Sequence, residues 1–577
     1  MINPYYQQEL TYLKELAVEF SKAHPALAPM LSGPTSDPDV ERLLEGTAFL
    51  TGMVREKLDD QFPELLHSLL QLIMPHYLRP IPSATIVQFM PKPGLMEILP
   101  VKAGVAVASI PVDGTPCIFT TSYDADVHPL QVSNVTLERL PGVPPALNLS
   151  MALTGPTLEK WQPTRLRFLI GGSYEAAADR FHMLFHHTRQ IRLTPVGGGQ
   201  PTILPRSCLL PVGLRDSEAL LPYPTNSFPG FRLLQEYFVL PHKFLFFDIV
   251  GWERWKDRGK GSQFEISFEM SNFTQEPREF SKQHFILGAT PAINVFQHSA
   301  EPILLDHKRA EYRIRPADEH AGNYQVYAVQ KVTGFLKGTV RQRDYLPFEM
   351  FQPTSDEAAV YNLAPRISAI GESVETYLSV SYPPEAGPPQ AETLSLDLLC
   401  TNAQLPEKLQ LGDISQPTET SPSLLAFKNI HPPTAAVQPP LGKNLLWRLL
   451  SHISLNFLSV ATTESIKALL RLYIFPDTRN KAAVVANNKR IDGILDLSGA
   501  ISDRLVSGVT MRGRNIKLTL DGANFASHGD MYVFGSILDL FLASYASINS
   551  FTLFSLEDKH TGETYKWPLR IGDRHLL

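Results

Sequence analysis

The chain has 577 residues, with 52 Lys+Arg against 58 Asp+Glu and 44 % hydrophobic residues. Single cores stop growing near ~250–300 residues, so several domains are expected, and the apolar content excludes wholesale disorder. A net charge of −6 offers no general attraction to polyanions, which argues against nucleic acid or an anionic membrane as the main partner.

From the N-terminus, Leu10, Leu13, Leu16, Ala17 and Phe20 recur at three- and four-residue steps with charged residues between them, predicting an amphipathic helix that ends before His24-Pro25. A second helical region is predicted over 39–77, with Leu43, Leu44, Phe49, Leu50, Met53, Val54 and Leu58 on one stripe. Pro63 suits the first turn of its second half, and Pro75 and Pro80 close it. Residues 1–80 therefore read as an α-helical module that packs on something larger. After Pro82 the apolar period drops to two, at 84–89, 117–121, 165–170 and most cleanly 263–270, predicting a β-rich domain over 81–335. Alternation at 324–329 and 376–380 extends this into a second β-rich segment, 336–440. Proline stands at about 8 % against a usual ~5 %, so long regular elements should be few. It is dense at 382–389 and 413–440, and the latter stretch is the best linker candidate. The pattern turns helical again at 445–453 and 464–473. A strand at 515–520, a helix at 532–545 and a strand at 550–556 follow, so 441–577 reads as an α+β domain. The fold class is multidomain α+β.

Cys117, Cys208 and Cys400 are odd in number and widely spaced, which is not a disulfide framework, and a cytoplasmic chain is expected. No signal-peptide pattern and no uninterrupted apolar run of spanning length is present, so export and membrane insertion are not expected. The apolar stretch 237–250 reads as buried core.

Signatures of catalysis are missing. No phosphate-binding loop, dinucleotide fingerprint, serine elbow or zincin motif occurs, so no cofactor is expected. Gly197-Gly198-Gly199 reads as a turn. His182 and His186, at i and i+4, would face one way on a helix and could begin a metal site, but nothing nearby in sequence supplies a third ligand. They read as two surface histidines, with no metal expected. Asp306-His307-Lys308-Arg309 reads as a polar turn, and Cys117 as a small buried hydrophobe rather than a nucleophile. The glycine-bounded run 251–261 mixes Trp252 and Trp255 with basic residues, a combination favoured at protein interfaces as well as on nucleic acid; a protein contact is expected.

Several blocks together resemble one family, the TssF (VasA, ImpG) baseplate subunits of bacterial type VI secretion systems. They are 5–13 (YYQQELTYL) with 20–25 (FSKAHP), 37–46 (DPDVERLLEG), 211–238 (PVGL, LLPYP, FPGFRLLQEYF), 300–307, 399–406 and 534–551, with Gly562-Glu563 and Trp567-Pro568 after them. Ala289 departs from the pattern, where the family leads one to expect cysteine. The resemblance implies a non-catalytic wedge subunit distantly similar to the wedge proteins of contractile phage tails. It implies two copies with one TssG, contacts with TssE and TssK, and a place around the VgrG spike from which sheath and tube grow. The wedge would lie in the cytoplasm, docked at the inner-membrane complex. Leu10, Leu13 and Phe20 at one end of the chain, and Trp447, Leu450 and Ile453 at the other, are the candidate partner-facing or bundle-forming residues, together with Trp252 and Trp255; the alternative for both helical stripes is that they cover the chain's own β core. The alternatives are a metal-dependent enzyme centred on His182 and His186, and a carbohydrate- or peptide-binding β protein.

Overall fold

The computed structural model describes residues 4–23, 38–139, 141–224, 227–273, 278–318, 320–336, 342–348, 359–368, 373–382, 391–441, 462–475, 481–506 and 508–572. The predicted helix over 445–453, with Trp447, Leu450 and Ile453, and the prolines at 383–389 lie outside the described residues.

Two helices open the chain, α1 (Pro4–Ala23) and α2 (Pro38–Ile73). The first stops where the His24-Pro25 pair was expected to stop it. The second runs unbroken through Pro63, which therefore sits inside one helix rather than opening another; at about 1.5 Å per residue it is roughly 54 Å long. Its far end is anchored, for Leu70 and Met74 belong to the main apolar core.

The middle of the chain is built from antiparallel sheets, as the period-two segments predict. One has six strands, in the order 414–417, 106–112, 115–121, 289–293, 84–91 and 425–429. Its two edges come from the proline-rich stretch read as a linker. Those residues pair in register instead, with Phe427 opposite Phe89 and Ile414 opposite Ser109. An edge strand tolerates proline because one side of it needs no ladder donor, which is why Pro417 can end the strand Ile414–Pro417. Ala289, in the same sheet, is buried and fills the place of the expected cysteine.

A five-stranded sheet contains the cleanly alternating Gln263–Met270 between Ala146–Leu153 and Thr188–Val196. Helix α3 (Tyr174–His187) runs directly into the last of these strands. A four-stranded sheet centres on Arg165–Ile170 and Phe246–Val250. The strand Phe246–Val250 follows α4 (Pro229–Val239), whose Pro229 sits in the first turn. The stretch 237–250 is core, with Leu245, Phe246 and Phe247 fully buried. A further mixed sheet, mostly antiparallel, includes Gln325–Leu336 and Glu392–Thr401 and has its own apolar cluster.

Toward the C-terminus come α5 (Thr463–Leu472), α6 (Lys481–Asp492) and a long hairpin of Ile494–Val506 with Val509–Leu520. Then α7 (His528–Ala543) crosses over so that Ser550–Asp558 pairs parallel to Val509–Leu520, a pairing that needs a long crossover connection of this kind. Helix α7 also meets α3. A side chain at Gly529 would fall 2.2 Å from the Ala178 carbonyl, so glycine sets the approach of the two backbones. The Gly529 N–H donates to Asp179 Oδ1 at 3.0 Å. The main apolar core is continuous from Leu70 to Trp567 and joins α3, α4 and α7.

Candidate partner interface

The body buries its charges in pairs. Arg167 and Asp248 are joined by two hydrogen bonds of 2.7 and 2.8 Å. Glu236 on α4 is fully buried; its Oε1 accepts the Leu220 and Leu221 N–H groups at 2.7 and 2.9 Å, while Oε2 takes the Lys243 ammonium. Glu218 Oε2 accepts the Gly213 N–H at 2.7 Å and that of Leu214 at 3.2 Å. Gly213 itself is left-handed, with φ of 92°, and lies against Lys243. The block 211–238 is thus a loop and helix whose free amides are satisfied by two buried carboxylates, a structural reason for its motif.

Trp252 and Trp255 belong to this interior and not to a partner surface. They are 0 % and 1 % exposed. The Trp252 indole donates to Ile249 O at 2.8 Å and that of Trp255 to Gln200 O at 3.0 Å, so both N–H groups are satisfied within the chain. Trp161 and Phe264 pack on them, and Arg258, itself buried, donates to the carbonyls of both tryptophans. The Gly197–Gly199 turn, with all three residues at positive φ, lets the backbone of 198–199 lie against Gly259. A basic, aromatic run looks the same in sequence whether its guanidinium points out to a partner or in to carbonyls, and here it points in.

The helical hairpin has the opposite arrangement. Ala17, Ala48 and Gly52 are the residues buried where α1 and α2 meet. Of the predicted stripe, Leu10 and Leu13 are half-buried and Phe20 is 48 % exposed. Along α2 the large residues are mostly outside: Leu43 is 72 % and Leu50 65 % exposed, with Met53 and Val54 beside them. At about 100° per residue these four occupy an arc of roughly 100°, opposite the face carrying Ala48 and Gly52. Phe49 flanks the arc and meets Tyr6 edge-on at 6.4 Å. These α2 residues are not among the contact candidates read from the sequence, although the sequence carries a signal for them. Seven large apolar residues within 43–58 are more than one hairpin seam holds. A second uncovered apolar surface lies at the tip of the long β-hairpin, where Ile501, Leu505 and Val509 are exposed.

The sites considered for chemistry resolve differently. The three cysteines are free and buried, and burial pushes the Cys117 thiol up to about 11, which suits a small hydrophobe. Asp306 accepts the Lys308 N–H at 3.2 Å within a turn, with His307 at positive φ. His182 is buried rather than a surface residue, and a third donor does stand beside it and His186, namely Glu563 from the far end of the chain. No described helix is long and apolar enough to cross a membrane.

The chain is similar to the type VI secretion system component TssF1 of Pseudomonas aeruginosa strain PAO1, 29 % identical over 627 residues that cover 99 % of this chain and 98 % of that one. Its fold matches a chain of the TssK–TssF–TssG baseplate subcomplex of the type VI secretion system, with a TM-score of 0.78 and 28 % identity over 92 % of this chain and 98 % of the other. A chain of the type VI baseplate complex matches at a TM-score of 0.59 with 25 % identity, covering 99 % of each. The reading of His182 and His186 as an enzyme's centre is set aside by these matches. With the family model for "Type VI secretion system, TssF" matching residues 1–574, the chain belongs to the TssF family and is a structural component of the type VI secretion baseplate, not an enzyme.

Proposed function

We propose that this subunit acts as a wedge component whose α1–α2 hairpin is completed by partner chains. Two copies would assemble with one TssG-like chain, contact TssK-like and TssE-like chains, and surround a VgrG-like spike, with the sheath as a further neighbour. The assembly would sit in the bacterial cytoplasm, docked at the inner-membrane complex. The observation that carries this reading is the uncovered face of Leu43, Leu50, Met53 and Val54 on a helix rooted in the body by Leu70 and Met74. Covering a side chain of that size is worth about 1.5–3 kcal/mol each, enough for a few of them to hold an obligate helical contact. Leu10, Leu13 and Phe20 line the adjoining side of the same hairpin, so both helices can contribute to one bundle. A solved structure of similar fold comes from a complex that also contains TssK and TssG, which supports those two chains as partners. The tip of the long β-hairpin is a second contact in this reading.

Co-expression with TssG-like and TssK-like chains tests the proposal. A complex that survives size exclusion, together with poor solubility of the subunit alone, is the expected result. A well-behaved monomer that binds neither chain would overturn it.

A further inference from the structure

Helix α3 carries His182 and His186 one turn apart, so their imidazoles share a side of the helix, with ring centroids 5.2 Å apart and planes inclined by 22°. The C-terminal part of the chain faces them. Glu563 immediately precedes the strand Thr564–Lys566, and His528 is the first residue of α7. Donor atoms of His182, His186 and Glu563 all lie within 4.8 Å of one another. His528 Nδ1 is 4.0 Å from a Glu563 carboxylate oxygen.

One feature of the cluster calls for a ligand. His182 is 3 % exposed, yet its Nε2 has no hydrogen-bond partner, and neither has the buried Nδ1 of His528. Leaving polar nitrogens bare in the interior is costly unless something fills the gap. Imidazoles beside a carboxylate are a donor set that zinc-class ions accept. Tyr532 and Tyr565 close around His182, each with its ring centroid 5.1 Å away, and shield it from water.

We propose that His182, His186 and Glu563, with His528 completing the set, bind a divalent transition metal of the zinc class. Bonds of about 2.0–2.2 Å place tetrahedral donors roughly 3.3 Å apart, so the cluster must contract slightly on binding. His186 is exposed and Glu563 half-buried, which leaves both free to rotate inward, while His182 is fixed by its packing. The ion would tie α3 to the C-terminal strands, beside the close contact of Ala178 with Gly529. Its role is that of a staple between parts of the chain distant in sequence, and it is independent of which partners cover the α1–α2 hairpin.

The test uses the full-length chain, stripped with EDTA and titrated with Co²⁺ and then Zn²⁺. His186→Ala and Glu563→Gln are the variants of choice, since neither empties the core as a change at His182 would. The expected result is a visible Co²⁺ d–d band in the parent chain, displaced by stoichiometric Zn²⁺, with Zn²⁺ raising the midpoint of thermal unfolding. Both variants should keep the parent's circular dichroism but bind Co²⁺ more than about 100-fold more weakly and lose the Zn²⁺ stabilisation. Absence of the band in the parent chain would overturn the proposal. So would a band of equal affinity in both variants, which would place the metal elsewhere.

Discussion

In the α1–α2 hairpin, Ala17, Ala48 and Gly52 lie inside while Phe20, Leu43 and Leu50 face out; in the body, Glu236, Lys243, Arg167 and Asp248 are sealed inside together with Trp252 and Trp255. Each arrangement inverts the usual sorting of residues between water and core. These four buried charges have their partners within the chain. On the hairpin, Leu43, Leu50, Met53 and Val54 stand exposed along the outer face of α2. In the proposed reading, burial divides the molecule into a part held together by its own pairs and a part that partner chains cover.

The comparison can be broken first in the body, where changes should act on stability. Glu236→Ala leaves the Lys243 ammonium buried without its carboxylate and frees the Leu220 and Leu221 amides. It should cost about 3–5 kcal/mol in a denaturant titration, and a loss below 1 kcal/mol would mean that the network contributes little. A smaller effect is expected from acid. Trp161 Nε1 donates to His128 Nδ1 at 3.3 Å, and burial pushes His128 down from 6.5 to about 4. Because the folded value is depressed, the unfolded chain takes up the proton first. The stability is complete above pH 6.5 and is lost as pH falls toward 4, by up to about 3 kcal/mol. His128→Gln should flatten that slope, and a pH profile identical to the parent's would rule the imidazole out. Smaller again, Trp255→Phe removes only the indole donor to Gln200 O and should cost about 1–1.5 kcal/mol with binding to partner chains unchanged; weakened binding would return Trp255 to the interface.

Much of this division could be read from the residues alone. The period of 3.6 at 10–20 and 43–58 and the period of two at 263–270 specify local structure, because each is set by which face meets the core. The direction a mixed face takes is set by tertiary contacts. Trp252 and Trp255 turn inward only because Trp161, Phe264 and Arg258 converge on them from other strands and loops. The prolines of 413–440 signalled a linker, yet their segment forms two sheet edges, where a missing donor does no harm. Pro63 failed to open a new helix, since tertiary anchoring at Leu70 and Met74 outweighs one lost hydrogen bond. Glu563 was invisible as a companion to His182 and His186 because the crossover through α7 brings it there from the other end of the chain.

The smallest expected effect on stability accompanies the measurement that tests the division most directly. Leu43, Leu50 and Val54 on α2 are replaced together by Ser, and the full chain is compared with its parent for thermal unfolding and for co-purification with the TssG-like partner. Exposed substitutions should leave unfolding within about 0.5 kcal/mol of the parent per site, while loss of the apolar face should abolish the complex. An intact complex, or a large fall in stability without loss of binding, would contradict the claim that partner chains cover this face.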